Sequence, residues 1–552
     1  MSDRTDTVSP CKGSLSLVLH AHLPFVRHPE HPSFLEEDWL FEALTETYVP
    51  LVRMLNRLEA DGVDSPLTMS VSPPLCEMLA DPLLRQRYAE RLDALIILAE
   101  QEADARRGTP YQDAADYAAW LLRDTLTLWQ ERCGRDILRA LGRHQEAGRI
   151  ALVTVAGTHG YLPLMATDAA RRAQVEVACA NYAKHFGRRP TGIWLPECAY
   201  APGLERLLAD AGITYFFMET HGINYASPRP RFGHYRPVLT ESGVAAFARD
   251  PECSRQVWSA EEGYPGDPLY REFYRDIGWD AAESRVAPIF MGGPRRGVGI
   301  KLHRVTGKVA LDEKEPWVPT WALERAAEHA KHFLASRQAQ VSRIADHLGA
   351  APHLLAPFDA ELFGHWWFEG TAFLEAFFRA AAEQDTLALT TPQRYLADDP
   401  TAQVVSPCAS SWGDGGSYEV WLNGGNAWMY QHLHRAEEHM VELADAHPNP
   451  SPLERRALCQ AARELLLAQA SDWAFIVTMA TVVPYAVRRT RDHIARFDRL
   501  YRELREHRID EAALAEVESL DTAFQEVDPL AWRTDRVRHP GAGAAVWSVA
   551  TS

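Results

Sequence analysis

Short apolar runs that alternate with helical stretches are the feature that most constrains how this chain can fold. Seven such runs lie at residues 14–19, 67–71, 150–155, 192–195, 214–217, 353–358 and 387–390. Runs of this length, separated by helices, are typical of parallel strands that are covered on both faces. Seven strand and helix units predict an α/β fold built on a (β/α)7 barrel, in which functional side chains gather at one rim.

Two helical segments and one long connection complete the pattern. Between the second and third runs, apolar residues recur at helical spacing and predict an inserted helical subdomain. Residues 220–319 are rich in Pro, Gly and aromatic residues, which predicts a lid or a substrate-binding element. Beyond residue 400 the periodicity is helical again. The predicted division is a catalytic barrel at 1–74 and 150–400, the insertion at 75–149, a mainly helical C-terminal domain at 401–535 and a loosely held tail at 536–552.

Charge and composition narrow the classes of partner. The formal net charge is −18, whereas proteins that bind nucleic acid use a surplus of Lys and Arg to displace counterions. The eight cysteines are scattered without a CxxC pair, which indicates free thiols in a reducing compartment. No signal peptide and no apolar stretch long enough to span a membrane are visible. We therefore expect a cytoplasmic protein without a nucleic-acid or membrane partner.

Two carboxylates stand where apolar runs give way to aromatic residues. Glu197 lies in WLPECAY at 194–200, and Asp359 lies in PFDAELFGHWWFEG at 357–370. Sugar-cleaving enzymes use such a pair, because one carboxylate attacks or stabilises the anomeric carbon while the other protonates the departing oxygen. Adjacent aromatic side chains can hold the flat faces of pyranose rings. Glu361 is expected to support the pair through hydrogen bonds.

Histidines follow two of the other runs and leave a second chemistry open. His20 and His22 follow the first run, with a spacing that metal-dependent barrel hydrolases use. His159 lies in GTHGYLP at 157–163, after the third run. Neither an HExxH motif nor a cluster of acids completes a ligand set, so contacts with sugar hydroxyls are the favoured interpretation. Metal ligation and structural packing remain alternatives.

Five motifs, taken together, resemble glycoside hydrolase family 57, and in particular its 1,4-α-glucan branching enzymes. They are HAHLPF at 20–25, GTHGYLP, WLPECAY, PFDAELFGHWWFEG, and SSWGDGGSYEVWLNGGNAW at 410–428, and they occur in the family's order. The resemblance covers about residues 15–499. It implies a (β/α)7 barrel with a helical insertion and a helical C-terminal domain that contributes to the substrate cleft.

The resemblance also implies roles for individual residues. Glu197 would be the nucleophile and Asp359 the general acid/base of a retaining mechanism, with the two carboxyl groups about 5–5.5 Å apart. Donor and acceptor would be α-1,4-glucans such as amylose and glycogen, and no cofactor or metal is implied. The oligomeric state and the transferred chain length stay open. The substrate-binding residues that the resemblance implies are His20, His22, His159, Trp194, Tyr235, Trp279, Trp412, Trp421 and Asp472.

Three other functions remain open from the sequence. The same fold could act mainly as an α-amylase or a 4-α-glucanotransferase, neither of which would form α-1,6 bonds. A metal-dependent hydrolase or deacetylase built on His20 and His22 would lose activity with a chelator. A glucan-binding protein with a dead site would leave glycogen unchanged, and the presence of both carboxylates argues against it.

The resemblance also implies that the loop at 223–250 covers the cleft, with Tyr235 at its tip. Branching requires that water be kept from the glycosyl-enzyme, so Tyr235→Ala is expected to raise hydrolysis relative to transfer. The ratio of new reducing ends to new α-1,6 linkages formed from amylose measures this change. An unchanged ratio would show that Tyr235 is not the residue that excludes water.

Overall fold

The structure, a computed structural model, describes residues 11–259, 263–290 and 293–535. The predicted tail at 536–552 therefore lies outside the described residues. The strands of the described part form one sheet, and they are β1 (Gly13–Ala21), β2 (Leu67–Val71), β3 (Ile150–Val155), β4 (Gly192–Trp194), β5 (Tyr215–Met218), β6 (Val238–Leu239), β7 (Ala245–Ala248), β8 (His353–Asp359) and β9 (Leu387–Leu389).

Seven of these strands form the barrel. The strand order is β6-β7-β5-β4-β3-β2-β1-β8, and every pairing in it is parallel except that of the short β6 with β7. The described residues give no strand pairing between β7 and β8. There the backbone N–H of Asp250 donates a hydrogen bond of 2.7 Å to the carbonyl oxygen of Leu355 in β8. The predicted (β/α)7 barrel is confirmed, and its two edges meet through a loop instead of a strand ladder.

The seventh strand of the ring differs from the predicted one. The run at 387–390 does form a strand, β9, but it pairs with residues 13–15 of β1 and lies off the path of the ring. The ring instead contains β7, within the segment predicted to be one long loop at 220–319. The four residues of β7 are AAFA, and all are buried. Alanine has a low preference for strands, so burial in the barrel wall decides this conformation.

Alternating side chains divide the barrel wall into an interior and an outer face. Val18 and Leu355 belong to a buried cluster inside the ring, whereas Leu17 joins the larger core under the surrounding helices. His20 and Asp359 lie two and four residues beyond these interior positions and are paired in register. Both side chains therefore point toward the mouth of the barrel.

Helices cover the outside of the ring and form the predicted insertion. α3 to α6 all lie between β2 and β3, which confirms an inserted helical segment, while the domain limits at 74 and 149 stay predictions. No described helix is long and apolar enough to cross a membrane. The first fifteen helices are α1 (Glu37–Ala43), α2 (Val49–Ala60), α3 (Pro73–Ala80), α4 (Pro82–Ala105), α5 (Gln112–Thr127), α6 (Ile137–Glu146), α7 (Asp168–Phe186), α8 (Leu204–Asp210), α9 (Thr220–Asn224), α10 (Pro251–Trp258), α11 (Ile277–Asp280), α12 (Glu283–Phe290), α13 (Pro319–Leu348), α14 (Gly370–Ala381) and α15 (Pro392–Asp398).

Local signals set the ends of several of these helices. α4 follows Asp81, whose carboxylate accepts a hydrogen bond from the N–H of Leu84 and so caps an otherwise unpaired donor. α13, the longest helix at 30 residues, ends at Gly349, which has the left-handed backbone that suits glycine. α13 packs against α14 on the outside of the barrel. These ends are set by nearby residues and are therefore visible in the sequence.

The C-terminal part is helical, as predicted, and contacts the barrel rim. Residues 453–480 belong to two helices, with a break at Ala470, which forms an antiparallel bridge with Gly160. The N–H of Ser471 donates to the carbonyl oxygen of His159 at 3.2 Å. The loop after β3 thus fixes the start of the second helix against the barrel. The five helices of this part are α16 (Ala427–Ala446), α17 (Pro452–Ala468), α18 (Ser471–Met479), α19 (Val483–Arg505) and α20 (Glu511–Leu520).

Gly364 makes a close backbone contact near the rim. Its φ is +131°, and a Cβ at this position would overlap the carbonyl oxygen of Glu46. We expect Gly364→Ala to lower the free energy of unfolding by about 2–3 kcal/mol, because both the conformation and the overlap require the backbone to move. The midpoint of denaturant unfolding measures this loss. Gly266→Ala is the matched control, since Gly266 is exposed with open space around it. Equal midpoints for the two variants would contradict the expectation.

Candidate active site

The carboxyl ends of neighbouring strands bring the predicted polar residues together. β1 contains His20 and is followed by His22, β4 is followed by Glu197, and β8 ends at Asp359. His159 lies four residues beyond β3, in the loop that contacts the C-terminal helices. These strand ends meet at one rim of the barrel, so motifs that are far apart in sequence form a single cleft.

Glu197 lies in a strained turn directly after β4. The turn Pro196–Cys198 gives Glu197 a φ of 60° and a ψ of 25°, which is left-handed backbone and uncommon for a residue with a Cβ. Trp412 holds this turn at two points. Its backbone N–H donates to the Glu197 carbonyl oxygen at 3.0 Å, and its indole Nε1 donates to Glu197 Oε2 at 2.7 Å. Both the backbone and the carboxylate of Glu197 are therefore fixed.

Asp359 and Glu361 stand at the end of β8. Asp359 is the last residue of the strand, one residue beyond the predicted run, and Glu361 follows in the turn Ala360–Leu362. Glu361 Oε1 accepts hydrogen bonds from the hydroxyl of Tyr48 and, at 3.3 Å, from the backbone N–H of His22. Within the described ranges, no protein side chain donates a hydrogen bond to the carboxyl of Asp359, which leaves it available to a bound molecule.

Burial raises the pKa of all three carboxyls. Enclosure disfavours the charged form, and the pKa rises to about 8 for Glu197, about 7 for Asp359 and about 8 for Glu361. For Glu197, the indole N–H of Trp412 opposes the effect of burial, and the charge of Asp359 adds to it. For Asp359, the nearby His22 opposes burial. Carboxyls that titrate near neutral pH can both give and take protons there, as acid and base catalysis requires.

His20 and His159 share a hydrogen bond between two imidazole rings. Their Nε2 atoms are 3.0 Å apart, and their Nδ1 atoms contact the hydroxyls of Ser70 at 2.7 Å and Ser471 at 2.8 Å. Burial lowers the pKa of both rings well below the ordinary value, so both are neutral and one Nε2 donates to the other. His159 Nδ1 also lies 3.8 Å from Glu197 Oε1. The pair forms a rigid polar support beside that carboxylate.

His22 joins the barrel to the C-terminal helices. Its Nδ1 contacts Ser72 Oγ at 2.8 Å, and its Nε2 lies 3.1 Å from each carboxylate oxygen of Asp472, the second residue of α18. An ionised carboxylate only accepts hydrogen bonds, so Nε2 carries the hydrogen. The His22 ring also stacks on His159, with ring centroids 3.9 Å apart. Asp472 thus reaches the cleft from the helical part of the chain.

His22, His159 and Asp472 are also the rim residues whose positions could suit a metal ion, since one ligand atom of each lies within 4.8 Å of the others. A metal would have to displace existing hydrogen bonds, because every nitrogen of the two rings has a protein partner. These partners are Ser72 and Asp472 for His22, and Ser471 and His20 for His159. The donor set fits a hydrogen-bonded network better than a metal centre, and the absence of a metal from the reaction stays a prediction.

Aromatic side chains line the cleft beside the carboxylates. Trp194 is buried and stacks on His20, with centroids 4.6 Å apart and planes 10° from parallel. Trp412 packs edge-on against Trp194 at 5.0 Å. Trp421 is also buried, and its indole N–H helps to lower the pKa of Glu197 although the two groups lie outside ordinary hydrogen-bond geometry. Indole faces and N–H groups of this kind suit a sugar ligand.

Two of the predicted substrate-binding residues lie away from these contacts. Tyr235 packs against His234 with the two rings tilted by 38° and their centroids 4.0 Å apart, and it lies beside the carboxylate of Asp250. Trp279 is on α11, and 53% of its surface is exposed. Among the residues that the structure describes, no contact joins either side chain to the carboxylate pair. Their roles in glucan binding therefore stay predictions.

Family models match most of the chain. The model described as Glycosyl hydrolase family 57 matches residues 16–406, which include both carboxylates. The chain belongs to glycosyl hydrolase family 57. A second model, described as 1,4-alpha-glucan branching enzyme, C-terminal, matches residues 432–532, which include α17 to α20.

Relatives of this family 57 chain cover nearly all of it. A curated 1,4-alpha-glucan branching enzyme of Thermococcus kodakarensis is 35% identical, over 94% of this chain and 78% of the relative. The crystal structure of an alpha-amylase of Thermotoga maritima is 43% identical with a TM-score of 0.89, covering 95% of this chain and 100% of that one. A branching enzyme of Pyrococcus horikoshii is 34% identical with a TM-score of 0.85, covering 95% and 97%. The barrel and the helical C-terminal part together are thus a family 57 architecture.

Sequence reasoning missed several polar residues of this family 57 site. Ser70, Ser72 and Ser471 hold the three histidines, and Tyr48 holds a rim carboxylate. Ser70 lies near the end of the run at 67–71 and Ser72 directly follows it, and this closeness to the end of β2 was a usable signal. Tyr48 lies in the π-helical turn Leu44–Tyr48, a rare conformation that often marks a functional site, but the sequence carries no clear sign of it.

The raised pKa values of the carboxyl pair predict how activity depends on pH. Below about pH 7 both carboxyls become protonated and no nucleophile remains, whereas above about pH 8 both are ionised and no acid remains. We expect a bell-shaped profile of kcat/KM with its maximum between these values. Initial rates on amylose across the pH range measure it. An acid limb near pH 4, where ordinary carboxyls titrate, would contradict the effect of burial.

Proposed function

We propose that the chain is a retaining 1,4-α-glucan branching enzyme, which cleaves an α-1,4 bond and forms an α-1,6 branch. The observation that carries this proposal is the contribution of the C-terminal helices to the catalytic cleft. Asp472 and Ser471, at the start of α18, hold His22 and His159 in that cleft. Both fall within the segment 432–532, which is similar to the C-terminal domain of branching enzymes.

In the first step, Glu197 attacks the anomeric carbon of the donor glucan. The bond from that carbon to the glycosidic oxygen breaks, and Asp359 gives its proton to the departing oxygen. Between about pH 7 and pH 8 the two carboxyls together hold one proton, and the reaction proceeds from the form in which Asp359 carries that proton and Glu197 is ionised. Because Trp412 already donates to Glu197 Oε2, Oε1 is the attacking oxygen. The step leaves a covalent glycosyl-enzyme and a shortened glucan.

The second step decides between branching and hydrolysis. Asp359, now ionised, takes the proton from the 6-hydroxyl of an acceptor glucan, and that oxygen attacks the anomeric carbon and releases Glu197. Water in place of the 6-hydroxyl would give hydrolysis. Branching therefore requires a cleft that favours a sugar over water, and the partly exposed indole of Trp412, which is fixed beside Glu197, suits this requirement.

The remaining parts of the proposal concern binding and location. His159 lies beside Glu197. In this proposal His20, His22 and His159 contact sugar hydroxyls, and neither step uses a metal or another cofactor. Amylose and glycogen are the proposed donor and acceptor, and uncharged polymers fit a chain whose formal net charge is −18. A cytoplasmic location without a nucleic-acid or membrane partner belongs to the same proposal.

An α-amylase activity is the second candidate function. It is favoured by the 43% identity to the Thermotoga maritima protein that is named an alpha-amylase. Hydrolysis and transfer share the first step and the same two carboxylates. Only the fate of the glycosyl-enzyme separates them, and only the branching reaction makes α-1,6 bonds.

Amylose incubated with the purified protein distinguishes the two functions. We expect new α-1,6 signals in the proton NMR spectrum together with few new reducing ends. Reducing ends without α-1,6 signal would establish a hydrolase and contradict the proposal.

Three variants, measured in the same reaction, test whether Glu197 and Asp359 are catalytic. Glu197→Gln and Asp359→Asn are each expected to lower turnover by about 10²–10⁴-fold or more, with glucan binding and the melting temperature largely retained. Asp346→Asn is the matched control, since 76% of the Asp346 side chain is exposed at the end of α13. Full activity in either cleft variant would disprove the role of that residue.

A further inference from the structure

Three helix ends of the C-terminal part bring two histidines and a glutamate together. His447 follows α16, Glu454 is in the first turn of α17, and His507 follows α19. One nitrogen or oxygen atom of each side chain lies within 4.8 Å of the other two. α17 is 17 residues long, so its first turn is on the order of 20 Å from the cleft at its other end. The cluster is therefore separate from the catalytic machinery.

His447 presents an unpartnered nitrogen in this cluster. Only 7% of the residue is exposed, and its Nδ1 lies 2.9 Å from the carbonyl oxygen of Leu443. A carbonyl only accepts hydrogen bonds, so Nδ1 carries the hydrogen and the lone pair of the neutral ring is on Nε2. Nε2 is buried and has no hydrogen-bond partner among the described residues. Nε2 lies on the opposite side of the ring from the nitrogen that donates to Leu443.

Glu454 offers one oriented and unused carboxylate oxygen. Its Oε2 accepts a hydrogen bond of 2.8 Å from the N–H of Ser451, within the capping box that begins α17. Its other oxygen, Oε1, takes no part in this cap and lies near His507.

His507 can complete the group from solvent. Its Nδ1 lies 3.6 Å from Glu454 Oε1, and 74% of its side chain is exposed. Its ring centroid is 6.1 Å from that of His447. The residue has a φ of 51°, an uncommon left-handed backbone for a residue with a Cβ. This backbone turns the chain after α19 so that the ring lies beside Glu454.

We propose that His447, Glu454 and His507 form a binding site for Zn²⁺ or a similar divalent transition metal. Two imidazoles and a carboxylate are ligands that zinc prefers, with water in the remaining position. The hydrogen bonds from His447 Nδ1 to a backbone carbonyl and from a backbone N–H to Glu454 Oε2 are those that usually orient metal ligands. His447 and Glu454 are thus already oriented by hydrogen bonds, and the exposed side chain of His507 can change conformation to bind the ion.

An ordinary ion pair between His507 and Glu454 is the simpler interpretation. Such an exposed pair contributes little to stability, and it leaves the buried Nε2 of His447 without a partner. A second cluster of one histidine and two acids differs from this one in the charged residues around it. Glu464, His493 and Asp521 are buried together, but Arg489 and Arg496 contact Asp521 and supply the positive charge. No arginine or lysine contact to Glu454 is found within the described ranges.

Zinc at this site would link the ends of α16, α17 and α19. An ion that binds only the folded chain stabilises it in proportion to its concentration and affinity. These helices form the core of the C-terminal part, and α17 continues to the Gln469–Ala470 break that places Ser471 and Asp472. The site is therefore a stabilising clamp and takes no part in the sugar chemistry.

Calorimetric titration of the full-length, untagged protein with Zn²⁺ after removal of bound metals tests the proposal. We expect His507→Ala to lose one equivalent of bound Zn²⁺ or to bind it at least about tenfold more weakly. Glu454→Gln is expected to weaken binding as well, because glutamine keeps the capping bond to Ser451 but lacks the charge. The Zn²⁺-dependent rise in melting temperature should disappear in both variants.

His432→Ala is the matched control, since it removes an exposed histidine of α16 that lies outside the cluster. It should bind Zn²⁺ like the unaltered protein, so that any other zinc-binding groups cancel in the comparison. Equal stoichiometry and affinity in the unaltered protein, His507→Ala and His432→Ala would overturn the proposal. Formation of α-1,6 linkages by metal-free His507→Ala should be unchanged, which keeps this result independent of the proposed function.

Discussion

The two-point contact of Trp412 with Glu197 is the interaction on which the arrangement of the cleft depends. A left-handed backbone at a residue with a Cβ costs on the order of 1–3 kcal/mol and persists only where its surroundings enforce it. Trp412 enforces it from 215 residues away, with one hydrogen bond to the backbone and one to the carboxylate. The same contact covers Glu197 and so helps to enclose it. The contact with Trp412 therefore contributes to the strained backbone, the burial and the orientation of Glu197.

Enclosure of the three carboxyls raises their pKa values towards neutral pH and lowers the stability of the folded state at neutral and alkaline pH. Glu197, Asp359 and Glu361 have pKa values of about 7 to 8 in the folded chain, above the ordinary value of about 4. The folded state therefore holds protons that the unfolded state has lost between about pH 4 and pH 8. Stability from these groups is present at acidic pH and falls as the pH rises through that window. Groups tuned for proton transfer are thus maintained by the rest of the fold.

The C-terminal helices are part of the site, because they supply partners that the barrel lacks. Asp472 orients His22, Ser471 orients His159, and the hydroxyl of Thr158 donates to the carbonyl oxygen of Leu466. Without these contacts the two histidines would have unsatisfied buried nitrogens, which cost about 1–3 kcal/mol each. The barrel rim and α18 therefore depend on each other, and stabilisation at the distant end of α17 would support the same unit.

Much of the fold and part of the site were readable from local patterns. The runs at 67–71 and 150–155 coincide with β2 and β3, and the acids of two motifs lie at strand ends as predicted. Strand β7 was missed, because AAFA has no strand pattern of its own. The partners of the histidines were missed for a related reason, since serines are common and only their neighbours in space distinguish them. The placement of Tyr235 and Trp279 in the cleft rested on resemblance alone.

By itself, the sequence determined the alternation of strands and helices, the helical ends and the positions of Glu197 and Asp359 at the ends of strands. These depend on hydrophobic period, capping residues and turns, which are properties of residues close together in the chain. Tertiary structure alone decided which strands close the ring, which hydroxyls hold the histidines and how far burial raises the pKa of the acids. Those features depend on contacts between residues that are hundreds of positions apart, and on a dry cleft that exists only when both parts of the chain have packed together.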